Sequence, residues 1–265
     1  MSVKNEYLPF AAELKEIVKH VDKEWTFRFA YDGEAIPGQF VEVSVPKVGE
    51  CPISVSGIGG GLIDLTIRKV GKVTDYLFEN VEVGDTLFLR GPYGNGFDLD
   101  EFSEGEVLIV AGGTAVSPVC GVIHALCECA EPKDKHVIVG FKSPDEILFR
   151  KDLEKWKDYI DLTLTVDGAP DGYEGNVGLV TKYIPDVPVR DLKNCKAIVV
   201  GPPPMIRFSI LEMKKRGFDE ANIWIDDSRK MCCGMGKCGH CRINDKYVCV
   251  DGPVFKYTEH RELLD

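Results

Sequence analysis

Five of the ten cysteines in this 265-residue chain fall inside residues 231–255, MCCGMGKCGHCRINDKYVCVDGPVF. Four residues separate Cys233 from Cys238, two separate Cys238 from Cys241, and seven separate Cys241 from Cys249. C-x4-C-x2-C followed by a later Cys is the plant-type spacing for a [2Fe–2S] cluster, a centre that moves one electron at a time. The two-residue gap lets one tight turn present two thiolates. The four-residue gap makes a loop that wraps the cluster and aims backbone N–H groups at its sulfides. Bulky side chains have no place in such a loop, which accounts for Gly234, Gly236 and Gly239. The competing metal is zinc, but structural zinc sites take two C-x2-C-like knuckles, and this segment holds one. Cys232 breaks the spacing and reads as a packed thiol. So do Cys51, Cys120, Cys127, Cys129 and Cys195, which stand singly or at helical spacing.

Two glycine-containing loops suggest nucleotide chemistry. Gly112-Gly113-Thr114 follows a buried-strand pattern and precedes a helical one, where glycines admit a pyrophosphate and a helix N-terminus offers N–H groups to it. A plain structural turn gives the same pattern. Gly201-Pro202-Pro203-Pro204-Met205, after another buried strand, strengthens the nucleotide reading by stiffening the sheet edge where ligands bind. Earlier, Pro52-Ile53-Ser54-Val55-Ser56 and Gly71-Lys72-Val73-Thr74 are polar islands among strands. Thr74 precedes a short helix pattern, as an N-cap or as the edge of a second phosphate site.

These residues need elements to hold them. Residues 14–21, 25–29, 40–45 and 62–68 alternate like strands, with turn signals at Asp32-Gly33, Pro37-Gly38, Gly57 to Gly61 and Gly84-Asp85, so residues 1–100 are expected to form a small β barrel. Beyond it, strands at 106–111, 136–140, 161–166 and 197–200 alternate with helices at 116–129, at 151–156 and through Lys215. A last strand at 222–225 completes the pattern of an α/β parallel sheet over 101–225. Residues 226–265 make a small metal-organised module.

Composition narrows the function. The net charge of −11 repels polyanions, which excludes nucleic-acid binding as the expected role. No apolar run is long enough to span a bilayer. The start, MSVKNEYLPF, lacks a basic and then apolar leader, so the chain is expected in the cytoplasm with reduced thiols. Residues 226–265 carry seven basic and seven acidic residues, so the whole net charge lies in the preceding residues. The histidines are scattered, and no residue is singled out as an acid–base catalyst.

In order along nearly the whole chain, Pro37-Gly38-Gln39-Phe40, Pro52-Ile53-Ser54, Gly71-Lys72-Val73-Thr74, Gly91-Pro92-Tyr93-Gly94, Gly112-Gly113-Thr114 and Gly201 to Met205 resemble the ferredoxin–NADP reductase superfamily. The resemblance implies a barrel binding FAD, an α/β domain binding NADH or NADPH, and a C-terminal [2Fe–2S] module held by Cys233, Cys238, Cys241 and Cys249. It assigns Pro52, Ile53, Ser54, Val55, Ile67, Arg68, Gly71, Val73 and Thr74 to FAD, with Ser54 near the flavin ring and Thr74 at the pyrophosphate. It assigns Gly112, Gly113, Thr114, Gly201, Pro202, Pro203, Pro204 and Met205 to NAD(P)H. Two positions depart from the family pattern. Cys51 stands where an Arg usually pairs with the flavin pyrophosphate, leaving Arg68 or Lys72 to substitute, and Val200 stands where a Cys often precedes the nicotinamide loop.

The tail, with Cys232-Cys233 doubled and a short gap to Cys249, is most similar to the electron-transfer subunit of anaerobic sulfite reductases. That branch implies a ferredoxin-like iron–sulfur subunit and a siroheme sulfite reductase subunit as partners. The alternatives are a sulfhydrogenase gamma subunit, the electron-transfer subunit of dihydroorotate dehydrogenase and, more distantly, a zinc-bearing NAD sensor without turnover. Phe141 to Glu146, after the second sheet strand, offers no arginine pair for a 2′-phosphate, which favours NADH.

Overall fold

A computed structural model describes residues 7–129 and 132–260. Part of the N-terminal leader reading falls on residues 1–6 and so lies outside the described residues. The chain divides into two compact units, residues 1–97 with 228–253 and residues 98–227 with 254–265.

The first unit holds a closed antiparallel barrel. Its strands are β1 (Phe10–Val21), β2 (Glu24–Ala30), β3 (Phe40–Val45), β4 (Gly49–Gly59), β5 (Leu62–Arg68) and β6 (Thr86–Tyr93), in the order β1-β2-β5-β4-β3-β6. Period-two alternation turns Phe27, Phe29, Val41, Val43, Ile63, Leu65, Ile67 and Leu89 into the barrel. Helix α1 (Lys72–Asn80) adds Leu77 to this core. A buried hydroxyl chain crosses the strands: Thr26 Oγ1 lies 2.8 Å from Thr66 Oγ1, which donates to Ser56 Oγ at 2.9 Å.

One expectation needs correction. Pro52 to Ser56 is not an island between strands but the middle of β4, which pairs with both β3 and β5. Apart from Val55 and Ser56, its residues are half-buried or exposed, so the apolar alternation that reveals a strand is weak there.

The second unit begins with α2 (Leu99–Ser103) and β7 (Val107–Gly112), a 3₁₀ turn over Gly113–Val119, and α3 (Cys120–Glu128). It continues through β8 (Lys135–Phe141), α4 (Arg150–Trp156), β9 (Asp161–Val166), β10 (Asn176–Val177), β11 (Lys196–Val200), α5 (Pro203–Arg216) and β12 (Ile223–Asp226). The chain then runs through β13 (Arg242–Ile243), β14 (Lys246–Tyr247) and α6 (Val248–Asp251) in the first unit. It returns to the second as β15 (Val254–Lys256) and α7 (Tyr257–His260).

The sheet order is β10-β9-β8-β7-β11-β12-β15, parallel except for β15. The strand over 223–226 is therefore not the last of its sheet. β15 pairs antiparallel with it, bringing Phe255 onto a stack with His260, whose Nε2 bonds Asp227 at 2.8 Å. The helix expected over 116–129 is split. Pro118, which has no N–H to give a helical ladder, lies in the 3₁₀ turn, and the α-helix starts at Cys120. Among the described residues no helix is long and apolar enough to cross a membrane.

Candidate functional site

The four spaced cysteines converge in the first unit. Cys233 Sγ accepts from the backbone N–H groups of Met235 (3.5 Å), Lys237 (3.4 Å) and Cys238 (3.5 Å), while Gly236 N–H donates to Cys249 Sγ at 3.1 Å. Cys238 thus meets Cys233 through its N–H, and the Cys241 and Cys249 sulfurs lie 3.2 Å apart. Cys238 therefore lies against Cys233 and Cys241 against Cys249, with N–H groups of one loop serving Cys233 and Cys249. A two-iron cluster takes two thiolates per iron, whereas a single zinc draws four sulfurs to one point. The donor set therefore fits a [2Fe–2S] cluster.

The loop conformation depends on its glycines. Gly234 and Gly236 have φ of +74° and +71°, and a Cβ there would meet the Tyr93 ring at 2.8 Å and Val250 Cγ2 at 2.9 Å. Burial raises the Cys233 thiol, yet the N–H groups of Met235, Cys238 and Lys237, with the Cys238 thiol, outweigh it and bring it down to about 6. Burial and the Cys241 thiol push Cys249 up to about 12. Cys232 is not the packed thiol expected of it: it is exposed, with its carbonyl held by Arg90, and it bonds none of these sulfurs among the described contacts. On the rim, Lys237, Cys238, His240 and Arg242 are exposed or half-exposed, with Lys237 Nζ 4.7 Å above the Tyr7 ring.

A residue that sequence reasoning missed sits under the loop. Arg90, 4% exposed, donates to the carbonyls of Cys233 and Cys232 and to both carboxylate oxygens of Glu50. A lone cation in the strand Leu87-Phe88-Leu89-Arg90 reads as solvent-facing, so no sequence signal marks it. Further ties come from Asn95, whose N–H and Nδ2 donate to the carbonyls of Gly252 and Asp251.

In the barrel, Pro52, Ile53 and Ser54 are half-buried on β4, and Val55 is buried opposite Leu65 of β5. Ile67 is buried near the end of β5, and Arg68 follows it. Arg68 Nε pairs with Glu24 Oε1 at 3.2 Å, so its guanidinium already has an anion. Cys51 cannot replace that cation, since a thiol is neutral or anionic; burial beside Glu42 and Glu50 pushes it up to about 12 and keeps it neutral.

Thr74 is not the N-cap of α1. Gly71 caps the helix, and Thr74 is its third residue, with Oγ1 accepting from the N–H groups of Val70 and Gly71 and donating to the Gly71 carbonyl. Val73 packs against the barrel core. A Cβ built on Gly71 would meet nothing within 4 Å. A helix start, whose first N–H groups have no intrahelical acceptor, with no side chain over it at Gly71, fits a phosphate, so the barrel's residues fit FAD.

In the second unit, Val200 of β11 lies in register with Ala111 of β7, so Gly112-Gly113-Thr114 and Gly201 to Met205 leave the same sheet edge side by side. Met205 joins them: a Cβ on Gly112 would come within 2.6 Å of its Sδ, and one on Gly201 within 2.4 Å of its Cε. Pro203 and Pro204 open α5 where helix N–H groups have no partner, so this start donates little and is suited to an uncharged ring. Gly113 has φ of +60° with open space beside it, the more accessible of the two turns for a phosphate. Beyond β8, Lys142 bears on Asp167, whose carboxyl burial raises and Lys142 lowers, with a net rise.

Residues 109–210 match the Oxidoreductase NAD-binding domain, and residues 228–260 match the Iron-sulfur cluster binding domain of dihydroorotate dehydrogenase B. The chain is 34% identical over 249 residues to the Sulfhydrogenase 1 subunit gamma of Pyrococcus furiosus, covering 89% of this chain and 82% of that protein. It is 35% identical over 243 residues to the probable dihydroorotate dehydrogenase B (NAD(+)) electron transfer subunit of Pyrococcus abyssi, covering 92% and 87%. Its fold matches a chain of the NADH-dependent reduced ferredoxin-NADP oxidoreductase solved in a study of flavin-based electron bifurcation, with TM-score 0.78, 27% identity, and coverage of 94% and 88%.

Proposed function

The chain belongs to the ferredoxin–NADP reductase-like family of NAD-binding oxidoreductases that carry a dihydroorotate dehydrogenase B-type iron–sulfur domain, and on that premise we propose that it oxidises NADH and hands single electrons to a partner subunit. A bound flavin accepts a hydride as an electron pair and releases electrons singly, which a [2Fe–2S] centre relays. The chain's own residues bind and orient. Met205 and the glycines of two sheet-edge loops form the nicotinamide side, Gly71 and the start of α1 form the flavin phosphate side, and Cys233, Cys238, Cys241 and Cys249 hold the cluster. No residue is needed to move a proton at a substrate carbon, in keeping with a relay rather than a catalyst of bond rearrangement.

The observation that carries this reading is the gathering of the four cysteines around one loop, whose N–H groups serve Cys233 and Cys249, with the Cys241 and Cys249 sulfurs 3.2 Å apart. The acceptor is a finer matter. Support from the relatives named above reaches the family and two of its branches, sulfhydrogenase gamma and dihydroorotate dehydrogenase electron transfer, and none of those relatives is a sulfite reductase component. We therefore take a sulfhydrogenase-type partner as the first reading, the dihydroorotate dehydrogenase type as the second, and the siroheme sulfite reductase partner as a third supported by the tail alone. The exposed Lys237 and Arg242 beside the cluster cysteines suit an acidic docking face, and the reading places the protein in the cytoplasm.

The test is anaerobic reconstitution with each class of partner, following NADH-driven hydrogen formation, orotate reduction or sulfide formation. Turnover with one partner, slowed at low salt by Lys237→Glu with Arg242→Glu while dye reduction is unchanged, is the expected result. Dye reduction without transfer to any of the three would remove the proposed acceptors.

A further inference from the structure

Arg90 is the most buried cation near the cysteine loop, and its bonds point two ways. Toward the loop, Nη1 donates to the Cys233 carbonyl at 2.6 Å and Nη2 to the Cys232 carbonyl at 3.1 Å. Away from it, Nε and Nη2 reach the Glu50 carboxylate at 3.2 and 2.9 Å, and Nη1 also bonds the Tyr93 hydroxyl at 3.0 Å. The planar fork of an arginine serves carbonyls on one side and a carboxylate on the other, which an ammonium group does not reproduce. The Tyr93 ring is also the wall that Gly234 must clear. The barrel strand β6 thus seats the peptide of the first cysteine ligand.

The charges of the pair do not cancel at the loop. The Arg90 side chain is 5% exposed, whereas that of Glu50 is 34% exposed. Water screens the carboxylate more than the guanidinium, so this pair bears on the loop with a net positive field, the buried Glu42 being the other acid that faces Arg90 and Cys233. A centre that gains an electron on reduction is favoured by such a field.

We propose that Arg90 is a positioning residue for the iron–sulfur centre, seating the Cys233 ligand from the barrel and, through its buried charge, raising the affinity of the cluster for an electron. This rests on the cluster reading above. A parent protein without two irons and two sulfides would sink that reading. A parent that holds the cluster leaves the proposal to be tested on its own.

The experiment is an EPR-monitored potentiometric titration of the anaerobically purified full chain and three variants, with iron and sulfide content measured alongside. Arg90→Gln keeps a donor but removes the charge, and the cluster it retains should bind its electron at least tenfold more weakly, about 59 mV lower for a one-electron couple. Arg90→Lys should recover most of that loss while broadening the EPR line, since the fork is gone. Glu50→Gln removes the counter-charge and should shift the potential upward. A merely structural Arg90 would not give shifts of opposite sign. If Arg90→Gln loses its cluster, the Glu50→Gln shift still decides: an upward shift supports the proposal, and no shift overturns it. Unchanged potentials in both variants, or shifts of one sign in both, also overturn it.

Discussion

The sulfurs of Cys241 and Cys249 lie 3.2 Å apart although a two-stranded hairpin, β13 and β14, separates them in the chain. The hairpin closes through Arg242 paired with Tyr247, and the Asp251 carboxylate accepts from Tyr247 N–H at 2.6 Å, so the hairpin and this side chain hold the pair. Cys238→Ser or Cys241→Ser should therefore abolish iron and sulfide binding. Flavin should remain, because β4, β5 and α1 make no use of these thiols. Cys232→Ser should keep both iron and sulfide, and their loss from that variant would place Cys232 among the ligands.

Gly71 has φ of −179°, extended backbone open to any residue, and an added side chain there enters open space. Gly71→Val is thus expected to fold with a melting temperature within a few degrees of the parent. If the FAD phosphates lie against the start of α1, the same variant should bind FAD at least tenfold more weakly. Arg68→Ala should have a smaller effect, since Arg68 is already held by Glu24. Parental FAD affinity in Gly71→Val, measured by flavin fluorescence, would move the phosphate site elsewhere.

Gly201→Ala places a Cβ within 2.4 Å of Met205 Cε. Met is flexible and will shift, so the fold should survive while the sheet-edge loops separate. The KM for NADH should rise several-fold with flavin and iron content unchanged. Adding Met205→Ala should recover part of the loss, because the clash is gone. Additive losses in the double variant would show that the two residues act separately.

Glu42 is 1% exposed, its Oε1 has no partner among the described residues, and burial raises it to about 7 against the lowering influence of Arg90. Because the folded pKa lies above the unfolded one, the folded state holds the proton more tightly. Stability is then fully present below about pH 4.5, falls as pH rises toward about 7, and levels off above that. The span corresponds to an upper bound on the order of 3 kcal/mol. Glu42→Gln should flatten this slope in denaturant melts taken across the window. A parent whose stability rises over the same window would contradict a proton held at Glu42.

How far the sequence carries varies by residue, for physical reasons. The Cys233-Cys238-Cys241 spacing is local geometry, so one loop brings those sulfurs together and the motif is readable directly. The barrel strands with period-two burial, such as Phe27 and Phe29 on β2, are equally readable. β4 is hidden because Cys51-Pro52-Ile53-Ser54 alternates neither in polarity nor in burial. β15 is hidden because a three-residue strand gains its stability from β12, which lies before the whole cysteine segment. Arg90 and the Met205 contact with Gly112 depend on the fold bringing distant residues together, and neither has a local pattern. Arg68 looks available in sequence and becomes engaged only because β2 lies beside β5 and presents Glu24.

The central claim is that electrons from NADH reach a two-iron centre held by these cysteines. Its most direct test is low-temperature EPR of the anaerobically purified chain, loaded with FAD, before and after addition of NADH. The account predicts two irons and two sulfides per chain, no signal when oxidised, and a rhombic one-electron signal after NADH that is absent from Cys241→Ser. A protein that carries zinc in place of iron, or a cluster that dithionite reduces but NADH does not, would contradict it.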